Sequence, residues 1–203
     1  MYNIPYFKAG NQEEVLAFMK AHPFIMLCGV DANQHPVATH VPVLFEERDG
    51  TLYLQAHIMR KQEHTLAYQQ NPNVLAIFSG ANTYISASWY TNKAVASTWN
   101  YQAVHAKGIV RFMDENGLYH LLVNLTNHFE VTNDSPASVK NISESYMKDM
   151  MKAIVGFEIE ITDIQHVFKL SQNRDAVSKK NIIENLIEGD AQAKEMATIM
   201  DKT

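Results

Sequence analysis

Residues 81–110 combine aromatic rings with hydroxyl and amide groups in a pattern that could bind a flat molecule with polar edges. Both tryptophans of the chain, Trp89 and Trp99, lie in this stretch together with Asn100. Small hydroxyl side chains surround them at Ser86, Ser88, Thr91, Ser97 and Thr98. Aromatic rings can stack on a planar ligand while amides and hydroxyls hydrogen-bond to its edge. The same composition also suits a subunit contact, or a hairpin whose rings only pack on the rest of the fold.

A basic pair, Arg60-Lys61, follows the third predicted strand at the start of a predicted helix. A phosphate group at that place would meet two cationic side chains and the free N–H groups of the first helical turn. An isolated basic pair can equally be the solvated start of a helix.

Two further polar groups of residues could face a ligand. Thr39 and His40 lie beside Pro42 in an otherwise apolar strand, where polar side chains either are satisfied in the core or face a ligand. The run from Lys169 to Arg174 follows the last predicted strand with five polar residues in six. It is either a simple loop or a cationic, amide-rich rim of the kind that suits an anionic ligand.

The nine histidines are scattered along the chain, and His40 and His57 are the only side chains that we name as candidate catalytic acids or bases. His57 could hold a metal ion together with His64 or with His40. With a single cysteine and no closely spaced pair of ligands, we predict no metal site. The sequence also lacks the glycine-rich dinucleotide and phosphate loops, the G-x-S-x-G nucleophile elbow and the H-E-x-x-H zinc motif.

The composition predicts a globular protein that does not grip nucleic acid through bulk charge. The 203 residues are 46% hydrophobic, enough to bury the core of one domain with a small appendage. The formal net charge is −5, whereas duplex binding relies on clustered Lys and Arg. Cys28 lies in the apolar run FIMLCGV and is predicted to be a buried structural thiol. No signal-peptide pattern and no membrane-length apolar stretch occur, so we expect a cytoplasmic protein without a membrane partner.

The hydrophobic periodicity predicts many strands joined by short turns, with helices added, which is typical of an antiparallel barrel. We predict strands at 24–30 (buried on both faces), 37–45 (bulged or at an edge at Pro42), 51–57, 74–78, 104–112 and from 155. We predict helices from Asn11 to His22, at 60–70, from the cap Asp114 to about His128, at 143–152, and near 177–188 and 191–200, with a polar loop at 131–141.

Six segments of the chain carry a resemblance to a known family. They are PVATHVPVL (36–44), NPNVLAIFSGA (71–81), YISASWYT (84–91), TWNYQAVHAKGI (98–109), IVGFEIEITD (154–163) and FKLSQNRD (168–175). In these segments, which come in the family's order, the chain resembles the PaiB-like FMN-binding negative transcriptional regulators. These belong to the wider group of pyridoxamine-phosphate-oxidase-like split barrels. Ala87 and Ser97 stand where the family often has proline.

The resemblance implies a fold class that is mainly β with helices (α+β), an antiparallel split β-barrel of the FMN-binding type. The barrel would comprise residues 1–170, and residues 171–203 would form a C-terminal helical extension packed on it. The resemblance further implies a homodimer that binds flavin mononucleotide (FMN) in a cleft between subunits. A flavoprotein of this kind could be an oxidoreductase acting on a small substrate.

Carried over position by position, the resemblance also implies a set of cofactor-binding residues. Arg60 and Lys61 would bind the phosphate, although the segment HIMRKQEH differs from the usual family wording. Thr39, His40 and Val41 would lie along the flavin ring, with His57 and Ser88 also at the cofactor; Trp89, Trp99 and Asn100 would lie near the dimer cleft, and Gln172 and Arg174 near its rim.

Two alternatives stay open. One is a PaiB-like transcriptional regulator without catalysis, which would bind DNA, although the negative charge gives this no support. The other is haem binding, because some split barrels hold haem instead of flavin, with His166 or His105 as the axial ligand.

Overall fold

The computed structural model describes residues 1–130 and 135–202, and its central element is one seven-stranded sheet. The strands are β1 (Phe24–Val30), β2 (Pro36–Pro42), β3 (Leu44–Arg48), β4 (Thr51–Met59), β5 (Asn73–Ile85), β6 (Thr98–Phe112) and β7 (Ile154–Lys169). The helices are α1 (Gln12–Ala21), α2 (Glu63–Gln70), α3 (Glu115–Phe129), α4 (Glu144–Ala153), α5 (Ala176–Ile187) and α6 (Ala191–Asp201), with short 3₁₀ segments at Pro5–Phe7, Ala87–Trp89 and Val139–Asn141. Of the predicted polar loop at 131–141, residues 131–134 lie outside the described part of the chain.

The order of strands requires the sheet to curl round on itself. The order is β2-β1-β5-β6-β7-β4-β3, so β2 and β3 are the two edge strands, yet only Val43 separates them in sequence. In a flat sheet these edges would lie about 29 Å apart, six strand spacings of ~4.8 Å. Two residue steps from Pro42 to Leu44 span at most about 7 Å. The edges therefore adjoin at Val43, which is the arrangement of a barrel.

Pro42 explains why β2 ends where it does. A proline has no N–H to donate to a ladder, so it occurs at strand edges, ends and bulges. The predicted single strand at 37–45 is therefore two strands, and the backbone N–H of Val43 turns aside to donate to the carbonyl of Pro23 at 2.9 Å. The prediction that Pro42 lies at an edge of the sheet is confirmed, and the prediction of one continuous strand over 37–45 is wrong.

The pair β1–β2 has one buried and one exposed face. The strands are antiparallel, with Ile25 opposite Val41 and both side chains buried. On the opposite face, Phe24 is 65% exposed and Met26 is exposed as well. The prediction that β1 is buried on both faces is therefore wrong, because a continuous apolar run can present half of its side chains at the surface.

The two helices with a predicted cap begin at that cap, whereas α2 begins later than predicted. The side chain of Asn11 accepts a hydrogen bond from the backbone of Glu14 at the start of α1, and Asp114 does the same for α3. Helix α2, however, begins at Glu63 and not at residue 60. The backbone N–H of Arg60 donates instead to the carbonyl of Ala153 at 2.9 Å, which extends the β4–β7 ladder beyond Met59.

The chain forms two compact units, each assembled from separate segments. Unit 1 comprises residues 1–22, 78–105 and 165–203, and unit 2 comprises residues 23–77 and 106–164. In unit 1, α5 and α6 bury the side chains of Ile182, Leu186, Met196 and Met200. In unit 2, α3 buries Leu118, Leu121 and Leu125. None of the helices in the described residues is both long and apolar enough to cross a membrane.

Candidate functional site

The twelve residues predicted to bind the cofactor fall equally into the two units. Unit 2 contains Thr39, His40, Val41, His57, Arg60 and Lys61, and unit 1 contains Ser88, Trp89, Trp99, Asn100, Gln172 and Arg174.

Strand β2 presents Thr39 and His40 on opposite faces. Because side chains alternate along a strand, Thr39 shares the inward face with the buried Val41, whereas His40 is exposed on the outward face. The His40 ring stacks on Phe24 with 5.9 Å between centroids and 22° between planes. A flavin ring on the outward face of β2 would therefore contact the side chain of His40. A ring on the inward face would contact the side chains of Thr39 and Val41. In each case the ring could reach the residues of the other face only through their backbone atoms.

His57 lies in β4, opposite Gly156 of β7, on the face away from the buried Ala56 and Ile58. Its Nδ1 is buried and has no hydrogen-bond partner among the described residues. Burial lowers the pKa of His57 below the usual 6.5, so the ring is neutral at pH 7. A neutral imidazole with one unpartnered nitrogen can donate or accept a hydrogen bond at the polar edge of a ligand.

Arg60 and Lys61 both lie in the exposed turn between β4 and α2. The Nη2 of Arg60 donates to the carbonyl of Ile154 at 2.7 Å and Nε donates to that of Lys152 at 3.3 Å. These contacts fix the guanidinium at the end of α4 and leave Nη1 with no partner in the described part of the chain. Lys61 likewise has no carboxylate within 4 Å there, so the pair offers unoccupied cationic donors.

A cavity of about 650 Å³ adjoins Arg60 in unit 2. Lys148 and Lys152 line it, but so do Asp114 and Glu115. Because these two basic and two acidic side chains balance, only the part of the cavity next to Arg60 favours an anion.

In unit 1 the two tryptophans have different surroundings. Trp99 is 54% exposed and meets the exposed Tyr84 edge to face, with 6.1 Å between ring centroids. Trp89 is half-buried, and its carbonyl accepts a hydrogen bond from the Asn181 side chain of α5 at 3.0 Å. Ser88 is exposed beside Trp89. Trp99 and Tyr84 therefore form an open aromatic surface, whereas Trp89 is anchored.

The sequence did not predict the hydrogen bonds that hold the segment after Trp89 against α5. Thr91 Oγ1 donates to Asp175 Oδ2 at 2.9 Å, and the backbone N–H of Thr91 donates to Ser178 Oγ at 2.9 Å. Asp175 is also the N-cap of α5 and accepts from the backbone of Ser178. The hydrogen bonds from Ser178 and Thr91 lower the pKa of Asp175 to about 2. The role of Asp175 as an N-cap could have been predicted from the sequence, because Asp175 directly precedes a helical pattern.

Asn100 has a structural partner in the loop after β7. Its side chain is fully buried, and Nδ2 donates to Ser171 Oγ at 3.0 Å and to the sulfur of Met200 at 3.3 Å. Gln172 is similarly engaged, since its Nε2 donates to the carbonyl of Phe168. Both amides therefore hold the loop in place and have little capacity left for a ligand.

Arg174, in contrast, has a side chain with no hydrogen-bond acceptor among the described residues. Its guanidinium lies over the Tyr90 ring, 4.1 Å from the ring centroid. Stacking uses the face of a guanidinium and leaves the N–H groups at its edge available. No carboxylate of the described residues lies within ion-pair distance of Arg174.

The candidate haem ligand His166 already uses one ring nitrogen. Its Nε2 accepts a hydrogen bond from the backbone N–H of Ala9 at 2.9 Å. A nitrogen whose lone pair accepts a hydrogen bond cannot ligate iron at the same time. Within residues 1–130 and 135–202, no cluster of three His, Cys, Asp or Glu side chains is placed to hold a metal ion.

Comparison with known proteins gives the family of the chain and relates its fold to solved structures. A protein from Bacillus subtilis (strain 168), named "Protease synthase and sporulation protein PAI 2", is 35% identical over 202 residues, which cover 99% of this chain and 97% of that protein. A solved structure of the FAD and heme binding protein from Mycobacterium smegmatis has a TM-score of 0.59 at 15% identity, covering 85% of this chain and 78% of that one.

A second solved structure, the flavocytochrome Anf3 from Azotobacter vinelandii, has a TM-score of 0.58 at 14% identity and covers 83% of this chain and 72% of that one. At such identities the likeness concerns the fold, and the predicted antiparallel split barrel with helices is confirmed. The family model described as "Putative FMN-binding domain" matches residues 1–163. With that match and a relative aligned along nearly its whole length, the chain belongs to the FMN-binding domain family to which its six segments pointed.

Proposed function

We propose that the protein binds FMN, with the phosphate held by Arg60 and Lys61. The observation that carries this proposal is a pair of cationic side chains directly after β4 that have no carboxylate partner among the described residues, in a chain that belongs to an FMN-binding domain family. Charge-assisted hydrogen bonds to phosphate are among the stronger ones in proteins. The contacts of Arg60 with the end of α4 support this assignment, because a donor that is already positioned loses less entropy on binding.

The polar groups around the ring are assigned by their free hydrogen-bonding capacity. The unpartnered Nδ1 of His57 would meet the polar edge of the flavin ring, and β2 would lie along it through Thr39, His40 and Val41. In unit 1, Trp99 would offer an aromatic surface, with Ser88 and Trp89 beside it, and Arg174 would lie at the rim. Bound FMN supplies reversible transfer of one or two electrons, which would make the protein an oxidoreductase for a small substrate.

The exposed apolar face of β1–β2 supports assembly as a homodimer. Phe24 and Met26 lie there beside His40, and β2 is an edge strand. Large apolar side chains grouped at the surface are typical of interfaces. We further propose that residues 1–170 form the barrel and that residues 171–203 form a helical extension.

The test is a titration of the purified protein with FMN and, in parallel, with riboflavin, followed by quenching of flavin fluorescence. Wild-type protein should bind about one FMN per chain, more tightly than riboflavin, because riboflavin lacks the phosphate. Replacing Arg60 and Lys61 together by Ala should weaken FMN at least tenfold, on the order of 1.4 kcal/mol, and leave riboflavin nearly unchanged.

Two control variants test whether a loss of FMN affinity comes from the loss of a phosphate contact. The single Lys61→Ala change keeps the contacts of Arg60 with α4, so it separates loss of phosphate binding from loss of stability. The double change Lys20→Ala and Lys194→Ala removes two exposed lysines elsewhere and should leave both ligands unaffected. An equal loss for FMN and riboflavin in the Arg60/Lys61 variant would show that the pair does not hold the phosphate.

A regulatory role is the second candidate. It is favoured by the full-length similarity to a relative whose name connects it with protease synthesis and sporulation. The C-terminal helices offer Lys179 and Lys180 to DNA, but Lys180 is already 3.7 Å from Glu184. Salt-dependent retention on DNA would support this role, and no retention at low salt would exclude direct DNA binding.

A further inference from the structure

Unit 1 contains a cavity of about 260 Å³ that shares only Arg174 with the residues assigned to the flavin. Lys169 and Arg174 line it together with Thr98 and Ser171, and its apolar wall includes Ile4 and Phe7. The cavity therefore has room for a small organic molecule.

The two cations in this cavity lack a counter-ion. Among the residues that the structure describes, neither Lys169 nor Arg174 has a carboxylate within 4 Å. The Lys169 ammonium donates to Thr98 Oγ1 and lies 5.7 Å from the centroid of the Phe7 ring. Burial, followed by the charge of Arg174, lowers the pKa of Lys169 below its usual 10.5. An anion bound between these two cations would offset their mutual repulsion and the energetic cost of their desolvation.

The loop after β7, which carries Arg174, is held in a fixed form by its contacts. Ser171 has a φ of 60°, in the left-handed region that side-chain-bearing residues seldom adopt. The buried Asn100 holds its hydroxyl, which donates to Asn100 Oδ1 at 3.1 Å. Arg174 is positioned by the Tyr90 ring beneath it. Backbone strain that the surroundings maintain is often found where a loop contacts a ligand, and preformed donors bind an anion at a lower entropic cost.

We propose that this cavity binds a small organic anion, with its carboxylate or phosphate group between Lys169 and Arg174 and its apolar body against Ile4 and Phe7. The site goes beyond the proposed flavin site, whose phosphate is assigned to Arg60 and Lys61. It accounts for the loop after β7 being cationic, polar and rigid at once.

Calorimetric titration of the full chain with two probes, phenyl phosphate and benzoate, at constant ionic strength tests the site. We expect saturable binding of at least one probe at one molecule per chain, and the stronger probe identifies the anionic group that the site prefers. Lys169→Gln and Arg174→Gln should each weaken binding at least tenfold, whereas Lys169→Arg should largely restore it. The control Lys194→Gln removes an exposed lysine from α6 of the same unit and should change nothing.

Absence of saturable binding of both probes to the wild-type protein overturns the proposal, and so does an equal loss in the Lys194→Gln control. Thermal unfolding of each variant shows whether a loss of binding comes from a loss of folding. Since the wild-type titrations need no variant, the proposal is tested even if Arg174→Gln fails to fold.

Flavin titrations separate this site from the flavin site. Lys169→Gln should leave the ratio of FMN to riboflavin affinity unchanged. If it weakens FMN alone and phenyl phosphate competes with FMN, the cavity holds the flavin phosphate and the separate anion site is refuted, while flavin binding stands. If the wild-type protein binds phenyl phosphate but neither flavin, the proposed function fails and the anion site stands.

Discussion

Tyr90 carries a hydroxyl that the fold buries without a hydrogen bond from any described residue, although its ring packs beneath Arg174. Tyr68 is equally buried, but its hydroxyl donates to the carbonyl of Leu27 at 2.8 Å. An unsatisfied buried polar group costs about 1–3 kcal/mol, whereas a satisfied one contributes about 1 kcal/mol. Removal of the hydroxyl should therefore stabilise the protein at Tyr90 and destabilise it at Tyr68.

We predict that Tyr90→Phe raises the free energy of unfolding by roughly 1 kcal/mol, and that Tyr68→Phe lowers it by about 1–2 kcal/mol. Urea denaturation of both variants, followed by fluorescence, measures the difference. A loss of stability in Tyr90→Phe as large as that in Tyr68→Phe would mean that the Tyr90 hydroxyl has a partner, such as bound water.

At the same scale, the sequence predicted residue types better than it predicted what each side chain does. Arg174 keeps free donors, as a ligand-facing residue should, but Asn100 and Gln172 are engaged in holding the loop after β7. Composition could not separate these roles, because Asn100 meets Ser171 only through a contact 71 residues apart in sequence.

At the scale of elements, Gly108 in β6 lies where this strand has no room for a side chain beside β7. A Cβ added there would lie 2.5 Å from the carbonyl oxygen of Glu160 and 2.5 Å from Cγ2 of Ile159 in β7. Since one contact is with backbone, a flexible side chain cannot relieve it by moving away. Only glycine permits this spacing.

We therefore expect Gly108→Ala to lower the free energy of unfolding by about 1–3 kcal/mol, the usual cost of overpacking. Gly10→Ala is the matched control, because its nearest neighbour is the flexible Glu14 carboxylate at 3.4 Å. Chemical denaturation of both variants measures the difference in the free energy of unfolding. A Gly108→Ala protein that is as stable as Gly10→Ala would contradict the close spacing of β6 and β7.

The elements themselves were largely readable from the sequence, and the exceptions have physical reasons. Asp114 marked α3 correctly because an N-cap is a local signal. The start of α2 was placed too early, because the Arg60 N–H is taken by Ala153, 93 residues away, and no local pattern contains that bond. The apolar run of β1 resembled a buried strand because the sequence does not show which face stays uncovered.

At the scale of the whole molecule, the exposed face of β1–β2 makes the assembly testable. Phe24 is 65% exposed, so a charge at this position does not disturb the core of one chain. It would, however, place an unpaired charge in the proposed subunit contact, where a buried charge is costly.

We predict that light scattering after gel filtration gives the mass of a dimer for the wild-type protein and that of a monomer for Phe24→Glu. The control Phe129→Glu changes another exposed phenylalanine, at the end of α3, and should remain dimeric. A wild-type monomer, or a Phe24→Glu dimer, rules out this face as the interface.

The division of the chain into discontinuous units also bears on its synthesis. Unit 2 is complete once residue 164 has left the ribosome, whereas unit 1 needs residues 1–22, 78–105 and 165–203 together. The apolar face of α1, formed by Val15, Phe18 and Met19, is translated long before residues 165–203 of the same unit. Chains fold as their segments emerge, and apolar surface exposed meanwhile invites aggregation. We therefore expect α1 to be the segment of the nascent chain that depends most on chaperones.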